Sequence, residues 1–480
     1  MTKAQTHNWW TRPCGGRDVF VLALPLVVSM GSMSVMHFVD RMFLLWHSTE
    51  AMAAAMPAAL LHFTLICFPL GVAMYGNAFV AQYLGAGRPE RIGSVVWQSA
   101  RIGIIAAPLY VATIPLAPMI FNAAGHSPEV AGLEVIYYQV LTFGAGGVLI
   151  SSAFTTFFTG RGETRVVMVV DCSSVGLNLV LDYLWIFGHA GFPAMGIEGA
   201  GWATVVSQWF RVVAYWWMMM RPAYRETYQL DAGRRFDAAL MRRIFRYGGP
   251  NGLQLLVEVA AFSLFILLVG RLGTEAMAAT TLAFNVNSVA FIPMLGLGIA
   301  VTTMVGQQLG RNRPDMAARA TWTALRMAFT YMGTMALLYV LVPGMFLMGH
   351  ASGIPADEFA RLRDVTVVLL RFAAAYCLFD AAAIIFSGAI KGAGDTRFIL
   401  LTNLIVAPLP VLASWWGITF FGWGLIWCWT AITGWICTLG LIFLARFLGG
   451  RWRRMRVIEA DPEEPAPIAA PAIPITVGTV

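Results

Sequence analysis

The amino-acid sequence describes an all-α polytopic membrane protein of twelve transmembrane helices, set in two parallel-repeat six-helix lobes around a central cleft. An apolar composition, basic residues confined to alternate loops and an internal duplication each lead there. Of 480 residues, 58% are hydrophobic and only 12% charged, against about 25% charged in an average soluble domain. With a mean hydropathy of +0.69, this balance excludes a soluble globular domain, a disordered chain and a nucleic-acid binder with a water-exposed basic face. The net charge of +7 would ordinarily suggest acidic partners, yet Lys3 and Lys391 are the only lysines and the arginines fall between apolar runs. The excess marks orientation, not a ligand. Six cysteines (Cys14, Cys67, Cys172, Cys377, Cys428, Cys437) are scattered without a Cys-x-x-Cys pair, so neither a disulfide framework nor a metal site is expected.

A helix crosses the hydrocarbon core with about 20 apolar residues. Such stretches run over 18–46, 52–84, 93–122, 130–158, 166–188, 197–220, 241–271, 275–309, 316–348, 361–390, 398–420 and 424–447. Several exceed the minimum, which implies tilt, bends or protrusion into water. The first follows Lys3, Arg12 and Arg17, is too long for a secretory signal and has no small-residue cleavage site behind it. It is expected to stay in the mature chain.

With the N-terminus placed in the cytoplasm, 24 basic residues fall on that side and three (Arg271, Arg361, Arg363) on the other. Five more lie within spans, at Arg41, Arg101, Arg211, Arg326 and Arg371. Because short cytoplasmic loops retain Lys and Arg, both termini are expected in the cytoplasm and the chain in a bacterial inner (plasma) membrane.

The halves repeat. At a shift of 225, Thr49 to Ala54 matches Thr274 to Ala279 identically, and Pro25, Gln82, Gly85, Arg88, Pro89, Trp97 and Arg101 pair with Pro250, Gln307, Gly310, Arg313, Pro314, Trp322 and Arg326. At a shift of 232, the segment Gly160 to Arg165 aligns with Gly392 to Arg397. An even number of spans per unit starts the second unit on the same side as the first, so the repeats are parallel, related by an axis along the membrane normal. The expected organisation is a cytoplasmic N-terminus (1–17), an N-terminal lobe (18–220), a cytoplasmic linker or short surface helix (221–240), a C-terminal lobe (241–447) and a cytoplasmic basic and Pro-rich tail (448–480), disordered from Glu459 onward.

The segments Phe38 to Arg41, Gln82 to Arg88, Asn178 to Tyr183, Met195 to Gly201, Gly306 to Gly310 and Lys391 to Arg397 resemble the multidrug and toxic compound extrusion (MATE) family of secondary transporters, with NorM-like features. They run in order from span 1 to span 10. The resemblance implies antiport: organic cations or lipophilic drugs leave the cytoplasm in exchange for inward Na⁺ or H⁺. It implies no cofactor beyond that coupling ion, membrane lipids and small organic cations as partners, no nucleic acid, and a monomer.

A carboxylate near the bilayer centre costs about 2.5 to 3.5 kcal/mol on insertion scales, so Asp40, Asp171, Asp182, Glu258 and Asp380, all inside apolar stretches, each need a reason. Asn178 and Asp182 are four apart and share one helix face. An amide beside a carboxylate suits Na⁺ or a shared proton, and the resemblance adds Asp40 to the same cavity. For Asn178 alone, an interhelical hydrogen bond is an equal reading. In the second half, Tyr376 and Asp380 are again four apart, and the resemblance groups them with Glu258 as a NorM-like cation site. Two carboxylates converging in low dielectric cannot both stay charged without a cation or proton between them. Either lobe is a candidate for the coupling site.

Pro25 matches the family's helix-bending position, and Pro250 is its repeat partner; a merely tolerated kink is the alternative. Arg41 stands where the family usually has a small hydroxyl residue, and either pairs with Asp40 or snorkels to the outer headgroups. Asp171 is expected to pair with Arg161 or Arg165, and His37, one turn before Asp40, to be packed or water-bonded, with modulation of Asp40 as the alternative. Two other functions compete with drug export. A flippase or exporter of an endogenous lipid-linked or metabolic substrate calls for a basic cavity, whereas the intramembrane charges are mostly acidic. A polytopic enzyme needs a His-Asp dyad, nucleophile elbow, metal pattern or phosphate loop, and none stands out in the sequence.

Overall fold

The computed structural model describes residues 8–347 and 356–459. Among them there are helices and turns and no strand. The first six long helices are α1 (Gly16–His47), α2 (Thr49–Gly85), α3 (Pro89–Ala123), α4 (Pro128–Arg161), α5 (Thr164–Phe187) and α6 (Ile197–Met219). A connector holding the short helix Pro222–Thr227 leads to α7 (Ala238–Gly270), α8 (Thr274–Gly310), α9 (Pro314–Leu341), α10 (Ala356–Ala393), α11 (Thr396–Phe421) and α12 (Leu425–Leu448). Eleven are long and apolar enough to cross a membrane. The exception, α6, carries Glu198, Gln208 and Arg211 along its 23 residues, yet it packs against α4 and α5 as the sixth member of its group.

Local chemistry sets the ends. Pro89 and Pro314, repeat partners, open α3 and α9, where a missing N–H costs nothing. Ser48 and Asp237 cap α2 and α7 by accepting from the backbone N–H of Ala51 and Leu240 at 2.9 Å. Gly162 and Gly188 close α4 and α5 in the left-handed conformation.

Helices α1 to α6 pack as one group and α7 to α12 as another, with α4 and α10 as the central members of each. The groups meet where α1 lies on α8, its repeat counterpart α7 lies on α2, and the ends of α2 and α8 lie on each other. Each pairing mirrors the other, as a parallel duplication requires.

The contact is confined to the side that carries the basic loops. Gln82 donates across the seam to the Gly392 carbonyl at 2.8 Å, and its repeat partner Gln307 donates to the Gly160 carbonyl at 2.9 Å. Since Gly160 and Gly392 are themselves repeat partners, the two bonds form a reciprocal handshake. Asn77 with Thr303, Tyr75 with the Lys391 carbonyl and Asn251 with the Gly71 carbonyl cross the same seam. Among the described residues, every side-chain hydrogen bond between the two groups lies on this basic half. On the opposite half of α2, Met52, Met56, Leu60 and Phe63 are all exposed. The cleft is thus sealed on the basic side, and the groups part toward the other.

The connector belongs to the first group. Trp97 donates to the Leu230 carbonyl at 2.8 Å and Gln98 to that of Arg235 at 2.9 Å. The Arg161 guanidinium sits 4.2 to 4.3 Å from the ring centres of Phe157, Tyr224 and Tyr228, a geometry of strong cation–π attraction. The tail departs from the sequence expectation. Trp452 is buried against Phe447, with ring centroids 4.8 Å apart, and Glu459, expected to begin a disordered stretch, is held by arginines. A carboxylate facing several guanidiniums has an ordering force that composition does not reveal. Residues 460–480, with Pro467, Pro471 and Pro474, lie outside the described residues.

Candidate functional site

The buried stripe of α5 runs Val167, Val170, Asp171, Ser174, Val175, Asn178, Asp182 and Ile186, the three-to-four spacing of one helical face. Four of these are polar, and the stripe faces α1, which contributes Ser29 and Asp40. The stripe divides into two sites with different electrostatics.

Toward the basic side, Asp171 is saturated. It accepts from Arg211 Nε and Tyr215 Oη, both on α6, at 3.0 and 2.8 Å, and from Ser29 Oγ. Arg211 Nη2 adds an ion-pair contact at 3.0 Å. The expected partners Arg161 and Arg165 are therefore wrong. Arg161 is taken up by its aromatic cage and Glu163, and Arg211, read only as an isolated basic residue within a span, is the counter-ion. An ion pair enclosed by two further hydroxyls satisfies its lone pairs and has no reason to exchange ions.

Two to three turns further along, the opposite holds. Asp40, Asn178 and Asp182 are buried, the last two completely. The Asp40 and Asp182 carboxyls lie within hydrogen-bonding reach of one another. Yet the two carboxyls offer each other only oxygens: Oδ1 of Asp40 and both oxygens of Asp182 meet no N–H or O–H donor of the protein, and neither amide atom of Asn178 has a partner. Buried polar atoms are almost always satisfied, so five orphans on three adjoining side chains mark a place built for something mobile. Tyr137 of α4, buried close to both carboxyls, completes the wall. Sequence reading missed it, since a lone tyrosine in an apolar helix carries no signal of its own. Arg41 is exposed and makes no ion pair with Asp40, and His37 is exposed as well.

In the second group, the candidates are less gathered. Glu258 on α7 is half-buried and accepts from Gln254 one turn earlier at 2.8 Å. Tyr376 is buried and Asp380 half-buried on α10. No hydrogen bond or ion pair joins Glu258 to Asp380 in this sealed arrangement, because α7 packs chiefly on α2 and α11. Pro25 lies two residues before Val27, which touches Gly296 of α8, and Pro250 adjoins Asn251 in the seam. Both prolines stand at the contact between the groups. The six cysteines are free, and the described residues hold no group of three or more His, Cys, Asp or Glu side chains that could bind a metal.

Comparison with known proteins returns one family. The MatE family model matches residues 25–184 and again 250–416, once in each repeat. A probable multidrug resistance protein NorM of Brucella suis is 27% identical over 472 residues, covering 94% of this chain and 95% of that protein. The multidrug resistance protein PmpM of Pseudomonas aeruginosa is 26% identical over 404 residues, covering 84% and 82%. A structure described as the outward-facing conformation of a multidrug resistance MATE family transporter superposes with a TM-score of 0.78 at 20% identity, over 90% of this chain and 95% of that one.

Proposed function

Since the chain belongs to the MatE family of multidrug efflux transporters, we propose that it is a secondary active antiporter exporting organic cations or lipophilic drugs in exchange for Na⁺ or H⁺. It would do so across a bacterial inner membrane, with the basic side and both termini in the cytoplasm. Members of this family are transporters, and this chain is a multi-pass membrane protein with their fold.

The observation that carries the reading is the orphaned cluster of Asp40, Asn178 and Asp182. Two carboxyls in contact in a low-dielectric interior cannot both be ionised alone. Either a proton or a cation stays with them, and charge at that point depends on which ion arrives from the open side. Neutralisation there favours a different packing of α1 against α5 than ionisation does, and a ligand shifts a conformational equilibrium only by such a difference. Glu258, Tyr376 and Asp380 would join this chemistry when the lobes rearrange. Pro25 and Pro250, at the seam, are the positions where α1 and α7 bend as the lobes rock.

The test is efflux of a fluorescent lipophilic cation from proteoliposomes under imposed gradients. An inward gradient of Na⁺ or of H⁺ should speed efflux, and collapsing it should return the rate to that of empty vesicles. Efflux indifferent to both gradients would refute antiport.

A further inference from the structure

We propose that the segment from Arg451 to Glu459 is a latch, which crosses the seam between the lobes and must leave its seat for the basic side of the cleft to open. The inference rests on the alternating-access reading above, but its geometry is independent of substrate or coupling ion.

The segment is anchored first in the C-terminal lobe. Trp452 is 1% exposed, donates from Nε1 to the Phe447 carbonyl at 2.8 Å and stacks on the Phe447 ring. Arg453 pairs with Asp315 at 3.3 Å, and Arg456 reaches Asn312 Oδ1 at 3.2 Å. The chain then crosses. Val457, 1% exposed, packs beside Gly394 of the C-terminal lobe, while its backbone N–H donates to Gln82 Oε1 of the N-terminal lobe at 2.8 Å. That same Gln82 holds the Gly392 carbonyl through its Nε2. The latch therefore uses the second half of an amide that already spans the seam.

Glu459 fastens the far side. It accepts from Tyr83 Oη at 2.7 Å and Arg88 Nη2 at 2.8 Å, lies 3.5 Å from Arg91 Nε, and pairs with Arg243 of α7. Tyr83, Arg88 and Arg91 belong to one lobe and Arg243 to the other, so one carboxylate ties both. If the lobes separate on this side, Glu459 cannot keep both sets of partners. Partial burial pushes its carboxyl up, but the hydrogen bonds from Tyr83, its own backbone N–H and Arg243 outweigh it and hold the group at about 2, so the tie is charged at any cellular pH. None of this was legible in the sequence, where Glu459 opens a proline- and alanine-rich tail.

The experiment uses the full chain in lipid nanodiscs, with spin labels at exposed Arg165 and Arg397, one in each lobe on the basic side, and in a second sample at Arg165 and Arg454 on the latch. Glu459→Gln keeps the side chain's shape and removes its charge. Charge-assisted hydrogen bonds are the strong ones, and their loss is expected to raise the population of long distances in both samples about tenfold. A paired variant, Glu459→Cys with Arg88→Cys, bridges the latch to the N-terminal lobe and should abolish export when oxidised and regain it on reduction, with neither single cysteine showing the effect. Unchanged distances in Glu459→Gln, or wild-type export by the oxidised pair, would overturn the latch. Should Glu459→Gln fail to fold, the oxidised pair alone decides. If the wild type shows no ion-dependent export, the antiport reading fails, while the distances still report on the latch.

Discussion

The seal on the basic side rests on backbone meeting backbone, which makes glycine at two positions a requirement and gives a clean perturbation. A Cβ added at Gly85 would lie 2.1 Å from the Gln307 carbonyl oxygen, and one at Gly252 would lie 2.2 Å from that of Phe68. Ordinary carbon-to-oxygen contact begins near 3.3 Å, so either alanine forces the seam apart by roughly 1 Å. Overpacking of this kind costs about 1 to 3 kcal/mol. The same displacement stretches the handshake bonds of Gln82 and Gln307, at 2.8 and 2.9 Å, beyond hydrogen-bonding range, at about 1 kcal/mol net for each bond lost. A combined total of about 3 to 5 kcal/mol falls on the sealed state alone, because the open state has no seam to crowd. At 1.4 kcal/mol per decade, the ratio of sealed to open molecules should drop roughly 140- to 4,000-fold. Spin labels at Arg165 and Arg397 would read the change as a shift toward long distances. A thermal melt should stay near wild type, since neither glycine packs inside its own lobe. Short distances retained together with a lowered melting temperature would refute the reasoning, showing that the glycines hold the lobes themselves and not the seam.

Other outcomes follow from the charges. Arg211→Met leaves Asp171 buried without its counter-ion, and breaking such a pair costs about 3 to 5 kcal/mol; the protein should lose thermal stability sharply, whereas Arg165→Met should not. Asp40→Asn and Asp182→Asn should each cut gradient-driven export by at least about tenfold, roughly 1.4 kcal/mol, at normal expression, while Glu258→Gln with Asp380→Asn tests the second lobe. Ion-dependent export surviving that double variant would remove the C-terminal candidates, and wild-type export after both N-terminal neutralisations would remove the other cluster. For Glu459, a carboxyl held at about 2 contributes its stabilisation above the ordinary range near 4.3 and loses it only as pH falls through the held value. The distance between labelled Arg165 and Arg397 attributable to the latch should therefore not change between pH 5 and 8, and a latch that releases near pH 6 would contradict the assignment.

How much of this the sequence displayed depends on the range of the interaction. Span ends followed from apolar run length, a local property, and the structure places most of them within a few residues, although α9 ends at Leu341, seven short of the expected 348, just before Pro343. The duplication was visible because identical residues persist at matching positions, and the handshake is built from residues it had paired as repeats, Gln82 with Gln307 and Gly160 with Gly392. Asn178 and Asp182 could be set on one face by counting alone. Partner identity was not available that way. Asp171 was assigned to the arginines nearest in sequence, yet helix α6 returns past α5 and delivers Arg211, 40 residues on. Tyr137 and Glu459 share this difficulty, because each has meaning only through groups that other helices bring beside it.

Helix α1 is where the two halves of the mechanism meet, and that leads to a final expectation. Its Asp40 adjoins Asp182 of α5, whereas its Val27 touches Gly296 of α8 in the seam. The two contacts are 13 residues apart, about 20 Å along a helix. A rigid α1 would resist a change of packing at Asp40, because its whole length would have to follow; a bend near its basic end lets the segment that carries Asp40 and Val27 swing and part the seam without dragging the rest of the helix. Pro25, buried in α1 on the basic side of Val27, withholds the N–H that would otherwise bond to the Val21 carbonyl and weakens the helix there. Pro25→Ala restores that bond. Ion binding at Asp40 should persist, measured by protection of the protein from thermal unfolding at saturating Na⁺ or at low pH. The ion-dependent shift in the Arg165 to Arg397 distance should shrink by about tenfold in population, the equivalent of about 1.4 kcal/mol, and export should fall with it. An alanine variant that keeps the full distance response would show that α1 carries the signal as a rod and that the proline is only tolerated.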